Sequence, residues 1–412
     1  MQPREHSTTL SSGVSPAATM ASASERAWKG LLAELEAAAK VLTGPKGAVD
    51  ALERAEGFRY LLRVLSGALD MHLERADPER PVLTRMLTPT RKFLGDNPDT
   101  DYDYFPVRND FTYRIRGHRG NVTYLGFCLY DAREGGGIEV GGNLADEQLK
   151  YGPDGSFEVV LGAKRPPRCD NWIELSPRSY CMLLRQYFLD RRKETRSDLT
   201  VETLETAPPP GPLDEAELAE RLASVGRYVR ETVDLSASLS IYASLQAVQG
   251  ETKHSQGEVI DGVVRESHLA RAQALAETLD PKVILGHMPT PDIMYAGAWW
   301  ELGDDEAILV EGPAPVARYW SVQIFNRWLE SPDYRYRRVA INSQEAKPRQ
   351  DGTFRVVLAH RDPGVPNWIE TAGHKQGQIC LRALLCRQPL SISFRRVKLR
   401  ELALESRGAQ HA

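Results

Sequence analysis

Two hydrophobic periods alternate along the chain. Between residues 24 and 43, Trp28, Leu31, Leu32, Leu35 and Ala38-Ala39 recur at helical spacing and stop at Gly44-Pro45. A second helix is expected over 49–75, with Leu52, Ala55, Phe58, Leu61, Leu62 and Leu65 forming its buried face. Residues 80–106 are rich in turn formers, centred on Gly95-Asp96-Asn97-Pro98-Asp99. From residue 110 the period becomes two: Thr112–Arg116 alternates, Gly117–Gly120 turns, and Asn121–Tyr130 reads as the next strand. A hairpin is expected around Ile138-Glu139-Val140. Pro208–Pro212 reads as a linker. Helices are then expected from Asp214 to about 230, over 233–248 and over 265–279, before strands return.

The strand pattern occurs twice. Residues 154–161 read DGSFEVVL and residues 351–358 read DGTFRVVL. Each is followed by Asn-Trp-Ile-Glu, at Asn171–Glu174 and Asn367–Glu370, and then by Leu184-Arg185 or Leu381-Arg382. Short strands with Gly-rich turns favour antiparallel sheets over a parallel one. The fold class expected is therefore α+β: two related, mostly antiparallel β-sandwich-like units with N-terminal and inserted helices. The expected divisions are a disordered tail over 1–24, a helical lead and first β unit over 25–206, a linker and helical insert over 207–285, and a second β unit over 286–412. Two such units packed together would leave a cleft between them, a usual place for a ligand.

Composition narrows the classes. With 42% hydrophobic and 26% charged residues, the chain is of ordinary globular type. A formal net charge of −4 gives no electrostatic reason to expect nucleic acid or an anionic membrane as partner. Basic runs such as Arg191-Arg192-Lys193 read as solvated strand ends. No apolar run reaches the roughly 18–20 residues of a membrane span. Five cysteines without a CxxC pair point to reduced thiols and a cytoplasmic setting. The histidines show neither HxH nor HExxH spacing, so no metal site is expected. The Gly135–Gly142 stretch lacks phosphate-loop and dinucleotide context, so no cofactor is expected either. Oligomeric state is not legible.

In the second half, Arg318-Tyr319-Trp320-Ser321-Val322-Gln323, Asn342, Asp351-Gly352 and Asn367-Trp368 stand in an order that resembles the bacterial family known as domain of unknown function 1214. Glu56–Arg63 (EGFRYLLR) and the Gly95–Asp99 run are similar to its longer members. The resemblance implies a β-sandwich fold with helical additions and no particular reaction. One departure is the closing strand of the second copy, which has Leu384 where the first has Tyr187.

Candidate site residues follow from chemistry and from broken symmetry. Asn367, Trp368 and Trp172 are candidates to orient and wall a ligand; the alternative is that Asn171 and Asn367 staple turns while the tryptophans plug the cores. Tyr319 and Trp320 are further wall candidates. Arg185 and Arg382 sit in apolar strands, where a guanidinium is costly unless partnered. They would either clamp a ligand oxyanion or pair with Glu174 and Glu370. His374 has no counterpart in the first copy. Beside Glu370 or Asp362 it would make a general acid/base; otherwise it is a hydrogen-bonded loop residue. His374, Arg382 and Glu370 are thus the catalytic candidates. The Asp96, Asn97 and Asp99 cluster reads as turn chemistry. The function expected is binding of, or acid/base action on, a small hydrophobic molecule between the units, with a non-catalytic binding or scaffold protein as the alternative.

Overall fold

The computed structural model describes residues 21–134, 137–244, 251–256, 258–260, 263–265, 288 and 290–402. The helix expected over 265–279, apart from Arg265, which ends a strand, and nearly all of the tail expected over 1–24 lie outside them. Helix α1 (Ala23–Thr43) opens with a capping box in which Ser22 and Glu25 satisfy each other's backbone amides. Helix α2 (Ala51–Leu69) is capped by the Asp50 side chain and runs into a π-helical turn, Asp70–Glu74. Helix α3 (Glu215–Ser244) is one continuous 30-residue helix where the sequence suggested a break near 231.

The first unit contains β1 (Thr84–Leu87), β2 (Thr100–Pro106), β3 (Tyr113–His118), β4 (Tyr124–Ala132), β5 (Ile138–Ala145), β6 (Ser156–Gly162), β7 (Trp172–Glu174), β8 (Ser179–Tyr187) and β9 (Asp198–Thr203). After α3 come β10 (Glu251–Gln256), β11 (Glu258–Ile260) and β12 (Val263–Arg265). The second unit follows with β13 (Ile293–Glu301), β14 (Glu306–Pro313), β15 (Tyr319–Phe325), β16 (Ala340–Asn342), β17 (Thr353–Ala359), β18 (Trp368–Glu370), β19 (Gln376–Leu384) and β20 (Leu390–Lys398).

Sheet order makes the duplication explicit. One sheet of the first unit runs β1-β2-β8-β4-β5 and its partner β7-β6-β3-β9. The second unit repeats this as β13-β19-β15-β16 and β10-β20-β14-β17-β18, with β10 added at an edge. Pairings are antiparallel except β6 with β7 and β17 with β18, which join the two repeated motifs in parallel in each copy. The expected α+β architecture of two related antiparallel units is the one observed.

Each sandwich has its own core. Phe105, Ile115, Phe127, Val159, Met182 and Leu184 fill the first; Trp300, Val310, Trp320, Val356, Ile379 and Leu381 fill the second. The opposite face of the β2-β8-β4 sheet is covered by the helices, through Tyr60, Val64, Tyr104, Cys128, Cys181 and Val229. A smaller cluster, Tyr124, Tyr187, Ile293, Tyr319 and Leu384, lies where the units meet. Strand alternation explains the arginines. On β8 and β19, Met182, Leu184, Leu381 and Ala383 enter their sandwich cores, so Arg185 and Arg382 fall on the other face, toward the unit interface.

The orientation of α2 corrects the sequence reading. Leu52, Ala55, Phe58 and Leu62 face solvent, while Glu53, Glu56, Gly57, Tyr60, Leu61 and Val64 are buried. The inward face carries two glutamates because the second unit supplies partners for both. Gly57 is required there: a Cβ at that position would lie 2.8 Å from the Trp328 ring.

Candidate functional site

The Asn-Trp pairs do the same work in both copies. Asn171 accepts from Lys150 N and donates to the carbonyls of Lys150 and Glu158, all at 2.8–2.9 Å. Asn367 repeats this with Lys347 and Arg355 at 2.8–2.9 Å. These amides staple a loop to a strand. Trp172 and Trp368 are half-buried; Trp368 donates to Ala359 O and packs on the outer side of its sheet, outside the sandwich core. Trp320 lies inside that core, its ring 4.8 Å from Phe354.

His374 is buried, and its carboxylate partner is neither Glu370 nor Asp362 but Glu56 of α2, 2.7 Å from Nε2. Nδ1 lies 3.0 Å from Thr371 O. Both partners are acceptors, so both ring nitrogens must donate, and the geometry selects imidazolium. Burial pushes the His374 pKa down, but the hydrogen bond and charge of Glu56 outweigh it and leave it raised. Burial likewise pushes Glu56 up, and the His374 bond and charge, with Asn326, bring it below its ordinary value. With both nitrogens occupied, His374 offers a ligand no open position.

The pair belongs to a larger network between α2 and the loop after β15. Glu56 also accepts from Asn326 at 2.9 Å, Glu53 pairs with Arg327 at 2.9 Å, and Arg63 pairs with Glu330 at 2.7 Å. Ser331 then donates from N and Oγ to Asp96, while Lys92 reaches the carbonyls of Ser331 and Pro332. The network ends on the Gly95–Asp99 loop.

Arg382 fixes the other side of that loop. It donates to Gly95 O, to Asp96 O at 3.2 Å and to Gln323 Oε1 at 2.8 Å. Leu94 and Gly95 take successive left-handed conformations (φ 54° and 70°), which present these carbonyls to the guanidinium. Arg185 donates to Tyr130 Oη and Met288 O, each at 2.8 Å. The expected pairings with Glu370 and Glu174 are not formed, because strand alternation turns both arginines away from them. Glu370 holds Arg337 at 2.9 Å and accepts from Arg338 N at 3.1 Å.

The units interlock through two crossed clasps. Asp292 of the second unit accepts from Tyr124 at 2.6 Å and Asn143 at 2.8 Å in the first. Asp99 of the first accepts from Tyr319 at 2.9 Å and Asn342 at 3.2 Å in the second. Both aspartates follow a proline, at Pro98 and Pro291, and each sits three residues before the tyrosine that pairs across the strand with Arg185 or Arg382. Asp292 is 2% exposed. Asp99 instead opens onto a cleft of about 460 Å³ between the units.

That cleft is lined by Leu87, Pro89, Pro98 and Ile341 and by the charged or polar Asp99, Asp101, Tyr334, Arg337, Arg338 and Glu345, among others. Burial pushes Asp99 up to about 6, against the lowering bonds from Tyr319 and Asn342. Both bonds fall on Oδ2, leaving Oδ1 without a partner among the described residues. Of the predicted site residues, Tyr319 touches Asp99, Arg382 holds its loop, and Glu370 holds the arginines opposite. His374 is linked to that loop through the α2 network, and the Asn-Trp pairs and Trp320 stand apart. Glu56, Tyr334 and Arg338 are not among the residues the sequence offers as site candidates, and Asp99 reads there as turn chemistry; the repeated Pro-Asp dipeptide is the available signal for its further role. Among the described residues no group of three His, Cys, Asp or Glu side chains is placed to hold a metal, and no helix is long and apolar enough to cross a membrane.

The family model described as protein of unknown function (DUF1214) matches the chain twice, at residues 99–188 and 298–388, one match in each β unit. The crystal structure of an uncharacterized protein from Burkholderia cenocepacia is 33% identical, covering 91% of this chain and 98% of that one, with a TM-score of 0.79. The chain belongs to the DUF1214 family. A structure of a protein from Vibrio parahaemolyticus covers 89% of this chain and 100% of its own at 11% identity, with a TM-score of 0.44. The search of curated proteins returned no match. The first family match begins at Asp99 itself, so both clasp tyrosines and Asp99 fall within matched DUF1214 segments.

Proposed function

We propose that this DUF1214 protein binds a small molecule with a largely apolar body in the cleft between its β units and exchanges a proton with it through Asp99. The observation that carries this reading is the broken symmetry of the clasps. The same aspartate–tyrosine–asparagine arrangement occurs twice, sealed at Asp292 and open at Asp99. A structural clasp has no need of an opening, and a carboxyl near pKa 6 with one free oxygen is suited to proton exchange at neutral pH. The cleft volume lies within the range of about 300–1,000 Å³ usual for small-ligand sites. In this reading Arg382, Glu370 and His374 are positioning residues. The first two hold the Asp99 loop and the arginines opposite it, and His374 acts through α2.

The test is a crystallographic fragment soak combined with carbon-13 NMR of the Asp99 carboxyl. Fragments are expected between Pro98 and Ile341, with the Asp99 signal titrating near pH 6 and moving when they bind. Fragments bound only elsewhere, together with an Asp99 that titrates near 4, would overturn the reading.

A further inference from the structure

The ligand of this cleft can be assigned a chemical class from the arginines around it. Arg85 and Arg191 are tied to Asp101 at 2.8 and 3.0 Å, and Arg337 is tied to Glu370. Arg338 makes no ion pair or side-chain hydrogen bond among the described residues. Its backbone is nevertheless fixed on both sides: its N donates to Glu370 Oε1 at 3.1 Å, and its carbonyl accepts from Glu370 N at 2.8 Å. The Arg338 side chain is solvent-exposed at the mouth of the cleft, and its planar guanidinium, with no side-chain partner among the described residues, can meet a planar anion in a two-bond geometry. Tyr334 also lines the cleft, and its hydroxyl has no partner among the described residues. Burial, first, and the charge of Asp96 raise the Tyr334 pKa, so it stays a neutral donor.

We infer that the cleft takes a small monocarboxylic acid, its carboxylate held by the Arg338 guanidinium with the Tyr334 hydroxyl as second donor, and its apolar body against Leu87, Pro89, Pro98 and Ile341. This rests on the cleft being the binding site proposed above. A single carboxylate is favoured over a phosphate because Asp99 and Glu345 line the same space and neither forms an ion pair among the described residues, so a second negative charge would repel both. A carboxylate neutralised by Arg338 leaves Asp99 Oδ1 to meet the body of the molecule.

The experiment titrates the full-length protein with benzoate, phenylacetate and hexanoate, with their neutral amides, and with phenyl phosphate. It reads the Asp99 carboxyl resonance, which reports occupation of the cleft rather than of the surface. At least one carboxylate is expected to bind ten-fold or more tightly than its amide and than phenyl phosphate. Arg338→Ala should weaken it at least ten-fold, and Tyr334→Phe less. Arg335→Ala, whose guanidinium is tied to Asp333, should leave binding unchanged. Thermal unfolding of each variant checks that the fold is retained. If amides or phenyl phosphate move the Asp99 signal as effectively as the carboxylates, or if Arg338→Ala binds as wild type, the carboxylate assignment is overturned and the cleft remains a binding site. If no probe moves the signal, the assignment is overturned, and the fragment soak decides the cleft separately.

Discussion

His374 is charged inside the protein, and Glu56→Gln tests that charge. The substitution keeps the shape of the side chain and a carbonyl oxygen for Asn326 but removes the counter-charge of the imidazolium. A hydrogen bond to a charged group contributes about 1.5–3 kcal/mol. Since His374 and Glu56 are both buried, the upper part of that range, about 2–3 kcal/mol, is expected near pH 6. The sign with pH follows from the two shifts. The raised His374 contributes stability that is complete below its unfolded value of 6.5 and is lost as pH climbs through its higher folded value. The lowered Glu56 contributes stability that is complete above its unfolded value of 4.5 and is lost as pH falls through its lower folded value. The pair is therefore fully effective between these two unfolded values. Above them the wild type should lose stability with a slope of at most about 1.4 kcal/mol per pH unit. Urea unfolding followed by tryptophan fluorescence suits the assay, because Trp328 donates to Glu53 O one helical turn from Glu56. Glu56→Gln should flatten the profile above pH 6.5, and nitrogen-15 NMR of wild-type His374 should show both ring nitrogens protonated at pH 6. Parallel wild-type and variant profiles between pH 5 and 9, or a singly protonated ring at pH 6, would refute the ion-pair assignment.

Three further outcomes are expected. Asp99→Asn should stabilise the protein above pH 6 and change little at pH 4, since a raised folded pKa means ionisation at neutral pH works against the fold; Tyr319→Phe should move the Asp99 titration upward by removing a bond to the carboxylate. Arg382→Met should cost about 1–3 kcal/mol for each buried carbonyl it strands, at Gly95 and Asp96, with faster amide exchange across 94–99, whereas Glu370→Gln should leave those amides unchanged. Leu62→Lys should lie within about 0.5 kcal/mol of wild type while Leu61→Ala costs about 2–4 kcal/mol, the reverse of the order a Leu62-facing core would give.

Much of the fold was legible because strand alternation and turn chemistry are local. DGSFEVVL and DGTFRVVL became β6 and β17, and the two Asn-Trp-Ile-Glu segments became β7 and β18, since nothing distant competes with a Gly turn and a period-two run. The same locality lets a loop staple be weighed against ligand orientation for Asn171 and Asn367 from the sequence alone. The helix α2 was misread for the opposite reason. Its apolar residues outnumber its polar ones on the face that proved to be solvent-exposed, and the choice of buried face was made by groups some 270 residues away, Asn326, Arg327 and Trp328. Once those supply partners, burying Glu53 and Glu56 costs little beyond desolvation, and a helix can turn its glutamates inward. His374 was picked out by asymmetry, but its role depended on a carboxylate 318 positions away that no spacing rule reaches.

The candidate site obeys a related logic. Asp99 reads as a turn residue, and Asp292 draws no notice, because within its own half neither carboxylate meets the groups it pairs with. Only when the units cross does each carboxylate meet a tyrosine and an asparagine of the other copy, and there Asp99 faces a cleft whereas Asp292 is buried. Duplication thus builds two related carboxylates, each supplied with a tyrosine and an asparagine donor from the other unit. Opening one of them to solvent needs no new chemistry, only a change in the loops around β1 and after β15, and the sealed copy continues to hold the units together. A site made this way should be separable from stability. Substitutions at Asp292 should loosen the unit interface, and substitutions at Asp99 should spare it. If Asp292→Asn and Asp99→Asn instead shift unfolding at pH 7 in the same direction and by the same amount, the open clasp is a second structural joint, and the functional asymmetry between the copies disappears.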